Sequence, residues 1–207
     1  MNFVHKLVDT AVDQILEFAE VPPPLLHAWT NFFAGTGDFW PVAMAGASFV
    51  PHIVLVCGLL ALALRPSIIG LFTFAGLFAN KLLNLVLKYA IRQPRPVNPW
   101  KRGYGMPSDH AQFMGFLALF PFLLYAFLSR THPELALPPP ASLIIFVLIS
   151  ILVCYSRIAV GVHSTEQVVW GFLIGLAFSF VWYQIGVLLY TKYYIKYPTT
   201  HTMKKAQ

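Results

Sequence analysis

Five apolar stretches, separated by polar or proline-rich breaks, set what this chain can fold into. They run roughly from Phe39 to Leu64, Ser67 to Lys88, Ser108 to Leu128, Ala141 to Ser156 and His163 to Tyr190. A helix crossing a bilayer needs about 20 mostly apolar residues, and these stretches are of that order. Composition agrees, since 57% of residues are hydrophobic and 11% charged, against about 25% charged in an ordinary soluble domain. The expectation is an all-α membrane protein, a bundle of about five transmembrane helices in one domain over residues 39–190, with a tail at 191–207.

Before the first stretch, Val4, Val8, Ala11, Val12, Ile15 and Ala19 share one helical stripe, with Asp9, Asp13, Glu17 and Glu20 mostly elsewhere. Residues 1–38 therefore read as an N-terminal amphipathic interfacial helical segment, the alternative being a helix of a soluble rim. Pro22, Pro23 and Pro24 break it, and no cleaved signal peptide is expected. Pro51 predicts a kink in the first span, and His52 beside it reads as a histidine bonded to a neighbouring helix. Cys57 and Cys154 lie inside apolar runs and read as small buried hydrophobes. Gly171 and Gly175, four residues apart, permit close helix contact.

The polar residues are the unexpected part. They crowd at the mouths of the spans in KYAIRQPRP (Lys88 to Pro96), GMPSDH (Gly105 to His110) and SRIAVGVH (Ser156 to His163). A charge at a membrane helix end is costly unless it serves something. The net charge of +6 does not point to nucleic acid, which would need a basic solvent-facing surface; cations at segment ends suit phosphate or anionic lipid. A transporter would gather its polar groups near midplane, whereas these sit at one end.

Five crossings put the N-terminus and all three clusters on one face. The other face carries Arg65, Arg130, Lys192, Lys196, Lys204 and Lys205, and positive charge usually stays cytosolic. The clusters are therefore expected on the lumenal or external side, with the cations between Lys88 and Arg102 explained by phosphate. Lys204, Lys205, Ala206 and Gln207 resemble a di-lysine retrieval signal of endoplasmic reticulum membrane proteins, which is read in the cytosol.

Phosphoryl transfer needs cations around the equatorial oxygens, a nucleophile in line and an acid at the leaving oxygen. Lys88, Arg95 and Arg157 can supply the charge, Ser108 a hydroxyl, and the backbone amides of 108–110 an anion site at a helix start. His110 and His163 offer an acid and a nucleophile. Lys81, Asn84 and Lys88 share one helix face, so Lys81 and Asn84 are candidates for substrate contact or for helix glue. No cluster of histidine, cysteine and acid has metal-ligand spacing here, so metal-independent chemistry without a cofactor is expected.

The ordered set resembles the type-2 phosphatidic acid phosphatase superfamily. Lysine is followed by arginine-proline seven residues on; then come proline-serine-any-histidine and serine-arginine, with histidine six after the arginine. The resemblance implies a helical bundle in which His163 attacks the terminal phosphorus and forms phosphohistidine. His110 would protonate the leaving oxygen and then activate water; Lys88, Arg95, Arg157 and Ser108 would stabilise the transition state. The string GMPSDHAQFMGF, with His163, Gln167 and Val168, is similar to the dolichyl diphosphate phosphatase branch. That branch implies a polyprenyl diphosphate substrate in the reticulum membrane, with a broader lipid phosphatase as the alternative.

Two positions depart from the superfamily pattern. Gln167 stands where an aspartate usually orients the nucleophile; glutamine can accept a hydrogen bond from imidazole but adds no negative charge. A less basic nucleophile suits a good leaving group. A phosphate monoester leaving from a diphosphate has a second pKa of about 6, whereas an alcohol resembles water at about 15.7. Asp109 stands where glycine or serine is usual. An acid there repels phosphate unless it caps the third span, faces solvent, or pairs with Lys81, Lys101 or an arginine.

Overall fold

In the computed structural model, residues 39–96, 103–133 and 141–192 are described. The expected interfacial segment at 1–38, Lys101, and the di-lysine motif at 204–205 lie outside them. The described chain forms five helices: α1 (Phe39–Leu64), α2 (Ile68–Ile91), α3 (Asp109–Thr131), α4 (Ala141–Ala159) and α5 (Thr165–Tyr190). A helix stands at each of the five expected spans, with boundaries within a few residues. Four are long and apolar enough to cross a membrane, and α4 contributes a shorter apolar run, Leu143–Ala159.

α3 is the centre of the bundle, packed along α5 and touched by α1, α2 and α4. The core runs down it through Met114, Phe116, Leu117 and Phe120, joined by Leu77 of α2 and Val153 of α4. Aromatic rings close the gap between α2 and α5, where Phe72 stacks on Trp182 at 5.0 Å and the indole nitrogen donates to the Phe72 carbonyl at 3.1 Å. The outer faces of the other helices are apolar because they meet lipid, not because they are buried. Cys57 shows the difference. Expected to be buried, it is exposed on the outside of α1, while Cys154 is half-buried and both are free thiols.

Two contacts set the depth and spacing of the helices. Gly171 and Gly175 let α5 lie directly on the α3 backbone: a Cβ on Gly175 would strike the Gln112 carbonyl, and one on Gly171 the Ser108 carbonyl. The small-residue spacing therefore serves the close approach expected of it. On the other side, buried amides zip α2 to α3. Asn80 Nδ2 donates to the Gln112 carbonyl at 3.2 Å, and Gln112 Nε2 donates to Asn80 Oδ1 at 2.8 Å. Asn84 Nδ2 donates to Gln112 Oε1 at 2.8 Å and to the Pro107 carbonyl at 3.3 Å. Because Asn84 meets Pro107 just before α3 begins, α2 overhangs the start of α3 by the seven residues to Ile91, about 10 Å of helix rise.

An amide network in an apolar core is stable only when complete, and each orphaned group costs about 1–3 kcal/mol. Gln112→Leu is expected to lower stability by about that amount or more, measured as an earlier thermal transition of the protein in detergent. Gly175→Val is expected to be at least as damaging, by forcing α3 and α5 apart.

Candidate active site

His163 sits in the tight turn between α4 and α5. Gly161 bends that turn at φ 76°, a conformation natural to glycine. The His163 amide donates to the Arg157 carbonyl at 3.3 Å, which ties the turn to the last turn of α4. Arg157 itself is completely buried. The two nitrogens of the His163 ring face different partners: Nδ1 is 3.2 Å from Gln167 Oε1, and Nε2 is 3.0 Å from Arg95 Nη1. An amide oxygen only accepts and a guanidinium only donates. The neutral ring therefore carries its proton on Nδ1 and its lone pair on Nε2. Arg95 Nη1 also donates to the Val162 carbonyl at 3.1 Å, so the guanidinium is held at the ring.

Gln167 is buried and fully bonded. Its Oε1 accepts from His163 Nδ1 and from the Ser164 amide at 3.4 Å, and its Nε2 donates to the Pro94 carbonyl at 2.8 Å and to Gln93 Oε1 at 3.2 Å. Ser164 Oγ accepts in return from the Gln167 amide at 3.3 Å. Ser164 and Gln167 form a capping box at the start of α5, a serine-any-any-glutamine signal visible in the sequence. One side chain thus caps the helix and orients the histidine. Gly105 lies against it, and a Cβ there would collide with the Gln167 amide.

The segment before α3 is fastened to the start of α5, because the Ser108 amide donates to the Gln167 carbonyl at 3.0 Å. That corrects one expectation: of the three amides of 108–110 assigned to an anion site, Ser108's is already taken. Its hydroxyl is different. Ser108 is the N-cap of α3 but makes no side-chain capping bond, and its Oγ is buried without a hydrogen-bond partner among the described residues. A buried hydroxyl in that state is poised to donate to something that arrives.

His110 is turned toward α1, with Nε2 3.2 Å from the Ser48 carbonyl and its ring 5.4 Å from the ring of His52. His52 therefore does touch a neighbouring helix, and that neighbour is the candidate acid. Lys88 is half-buried in the last turn of α2. Asp109 makes an ion pair with Lys81, one of the options left open for it, with 22% of its side chain exposed. Both donor hydrogens of Asn84 go to Gln112 and Pro107, which gives it a positioning task. Among the described residues, no three histidine, cysteine or acidic side chains are grouped to hold a metal ion.

The three polar clusters of the sequence thus meet at one end of the bundle. A profile of the PAP2 superfamily matches residues 69–189, a span that contains all of them. The chain belongs to the PAP2 superfamily. Its apolar helices make it a multi-pass membrane protein, and among its relatives within the superfamily are dolichyldiphosphatases. It is 31% identical over 158 residues to dolichyldiphosphatase 1 of Dictyostelium discoideum, a match covering 74% of this chain and 68% of that one. It is 30% identical over 162 residues to palmitoyl-protein thioesterase-dolichyl pyrophosphate phosphatase fusion 1 of Schizosaccharomyces pombe, covering 77% of this chain but 26% of that larger protein. The fold is similar to a crystal structure of a transmembrane PAP2-type phosphatidylglycerolphosphate phosphatase from Bacillus subtilis, with a TM-score of 0.52, 25% identity and coverage of 87% and 86%.

Sequence reasoning missed three residues that contact the candidate site: Gln93, Gln112 and Ser48. Gln112 carried a readable signal, a polar side chain inside an apolar span; Gln93 stood inside the KYAIRQPRP cluster but was not singled out, and Ser48 acts on His110 through its carbonyl, which no residue type announces. Gln167→Leu is expected to lower turnover by at least about 10- to 100-fold, the cost of removing the hydrogen-bond partner that orients a metal-bound imidazole. Steady-state kinetics check this, and KM is expected to change little.

Proposed function

We propose that this chain hydrolyses the terminal phosphate of dolichyl diphosphate to give dolichyl phosphate, recycling the lipid carrier for protein N-glycosylation. The observation that carries this reading is the His163 ring held between Gln167 and Arg95. Nε2 is thereby kept as a lone pair beside a fixed cation, where the phosphorus of an anionic substrate would come to rest. The dolichyldiphosphatase relatives supply the lipid.

In the first step His163 Nε2 bonds to the terminal phosphorus as the bridging P–O bond breaks. Dolichyl phosphate leaves with a proton from His110. In the second step water attacks the phosphohistidine, His110 takes the proton, and inorganic phosphate departs. One water is consumed and His110 ends as it began. Arg95, Lys88 and Arg157 meet the charge on the equatorial oxygens, arginine being suited to paired contacts with phosphate, and Ser108 donates its unused hydroxyl. Asp109 neutralises and anchors Lys81 at the edge of the site. Gln167 leaves the nucleophile without a carboxylate partner, which favours the leaving phosphate of a diphosphate over an alkoxide.

The catalytic unit is assigned to residues 39–190, with 1–38 and 191–207 as flanking segments. The protein is assigned to the endoplasmic reticulum membrane, with the site lumenal and the C-terminal side cytosolic. Arg65, Arg130 and Lys192 at the opposite end of the bundle support that orientation.

Phosphate release by the purified protein from dolichyl diphosphate, with a chelator present, is expected to exceed release from phosphatidate. A preference for phosphatidate would make it a broader lipid phosphatase. His163→Ala is expected to reduce release to background, and wild-type rates in that variant would remove His163 from the mechanism.

A further inference from the structure

The segment 93–95 reaches both nitrogens of the His163 ring. Arg95 meets Nε2 directly, while Gln93 and Pro94 act on Nδ1 through Gln167. The two ends of a glutamine amide have nearly the same shape, and only their partners decide which end faces which way. Were the NH2 end of Gln167 toward His163, Nδ1 would have to accept, the ring proton would move to Nε2, and the lone pair at the reactive position would be gone. Ser164 favours the observed orientation from the oxygen side. On the nitrogen side, two oxygens face the NH2 group: the Pro94 carbonyl, which can never donate, and Gln93 Oε1.

We propose that Gln93 is a positioning residue for the nucleophile: by accepting from Gln167 it locks the amide that sets the His163 tautomer. Gln93 is itself oriented, since its Nε2 donates to Glu166 Oε2 at 3.4 Å and so leaves Oε1 for Gln167. Its backbone is also fixed, because its carbonyl accepts from the Gly105 amide at 2.8 Å and Pro94 forms a bridge with Tyr104. The chain of contacts runs Glu166, Gln93, Gln167, His163. The negative charge that Gln167 lacks therefore stands two amides away from the ring, where it orients without contacting the imidazole. This inference rests on His163 being the nucleophile.

The test uses the full chain in detergent with dolichyl diphosphate carrying a radiolabelled terminal phosphate. Gln93→Met, which keeps the volume and removes both hydrogen-bonding groups, is expected to slow phosphohistidine formation and kcat by about 10- to 100-fold while leaving KM within about twofold. The exchange variant Gln93→Glu with Glu166→Gln restores an acceptor toward Gln167 and a donor beside it, and is expected to recover most of the loss. Nitrogen-15 spectra of labelled histidine are expected to report the Nδ1–H tautomer for His163 in the wild type and a mixture in Gln93→Met. A wild-type rate of labelling in Gln93→Met, a loss that the exchange does not repair, or an Nε2–H tautomer in the wild type overturns the proposal. If wild-type protein turns over substrate but never carries label on histidine, the nucleophile reading itself falls, whatever Gln93 does. Should Gln93→Met fail to fold, the wild-type tautomer and the exchange variant still decide the matter.

Discussion

The site depends on how closely α3 and α5 can approach. Their backbones touch where Gly171 and Gly175 present no side chain, and that contact brings the Ser108 amide to the Gln167 carbonyl. The segment bearing the candidate acid and the turn bearing the candidate nucleophile are thereby joined through main-chain atoms. Main-chain bonds hold position better than a pair of long side chains, which lose rotamer freedom when ordered. The amide zip from Asn80 and Asn84 to Gln112 adds α2 to the same unit and brings Lys88 and Lys81 with it. The side chains proposed to meet the phosphate, from three helices and two connecting segments, are thereby spaced by α3.

The span count, the order of the elements and the meeting of three polar clusters at one end were legible in the sequence. Length and apolar continuity decide them, and a bilayer admits few alternatives. The direction in which each helix faces was much less legible. Helices surrounded by lipid are apolar all round, so periodicity does not separate a core face from a bilayer face, and Cys57 reads the same as a buried residue. Asn84 and Gln112 show the converse, because a polar residue in a span announces a partner without naming it. The Ser108 amide was assigned to substrate on local grounds, and a long-range bond to Gln167 had taken it. Ser164 and Gln167 are the instructive case. Their capping-box spacing stood in the sequence, yet the same glutamine was weighed only for its distance from His163, and the structure gives it both tasks at once.

Electrostatically the site is a cluster of cations with few acids near them. Arg157 is fully enclosed, Arg95 bonds the proposed nucleophile His163, and Lys81 is matched by Asp109. A buried guanidinium is tolerable when its hydrogen bonds are met, and a phosphate dianion meets several at once. Arg95 donates to the lone pair on His163 Nε2, the atom proposed above to attack. The contact keeps the ring in register, and an incoming phosphate offers the guanidinium stronger acceptors than an imidazole nitrogen. In the proposed reaction the substrate's own charge would thus free the reactive nitrogen.

The overhang of α2 beyond the start of α3 has a consequence for what can reach the histidines. If the end of α2 lies at the aqueous edge of the head groups, the start of α3, about 10 Å below it, lies at the head-group level. A diphosphate carried on a membrane-dissolved tail is already at that altitude and needs only to drift sideways. A water-soluble phosphate ester must shed its hydration and descend. On that placement, depth alone would sort substrates by how they are anchored, before any residue of the proposed site reads their chemistry.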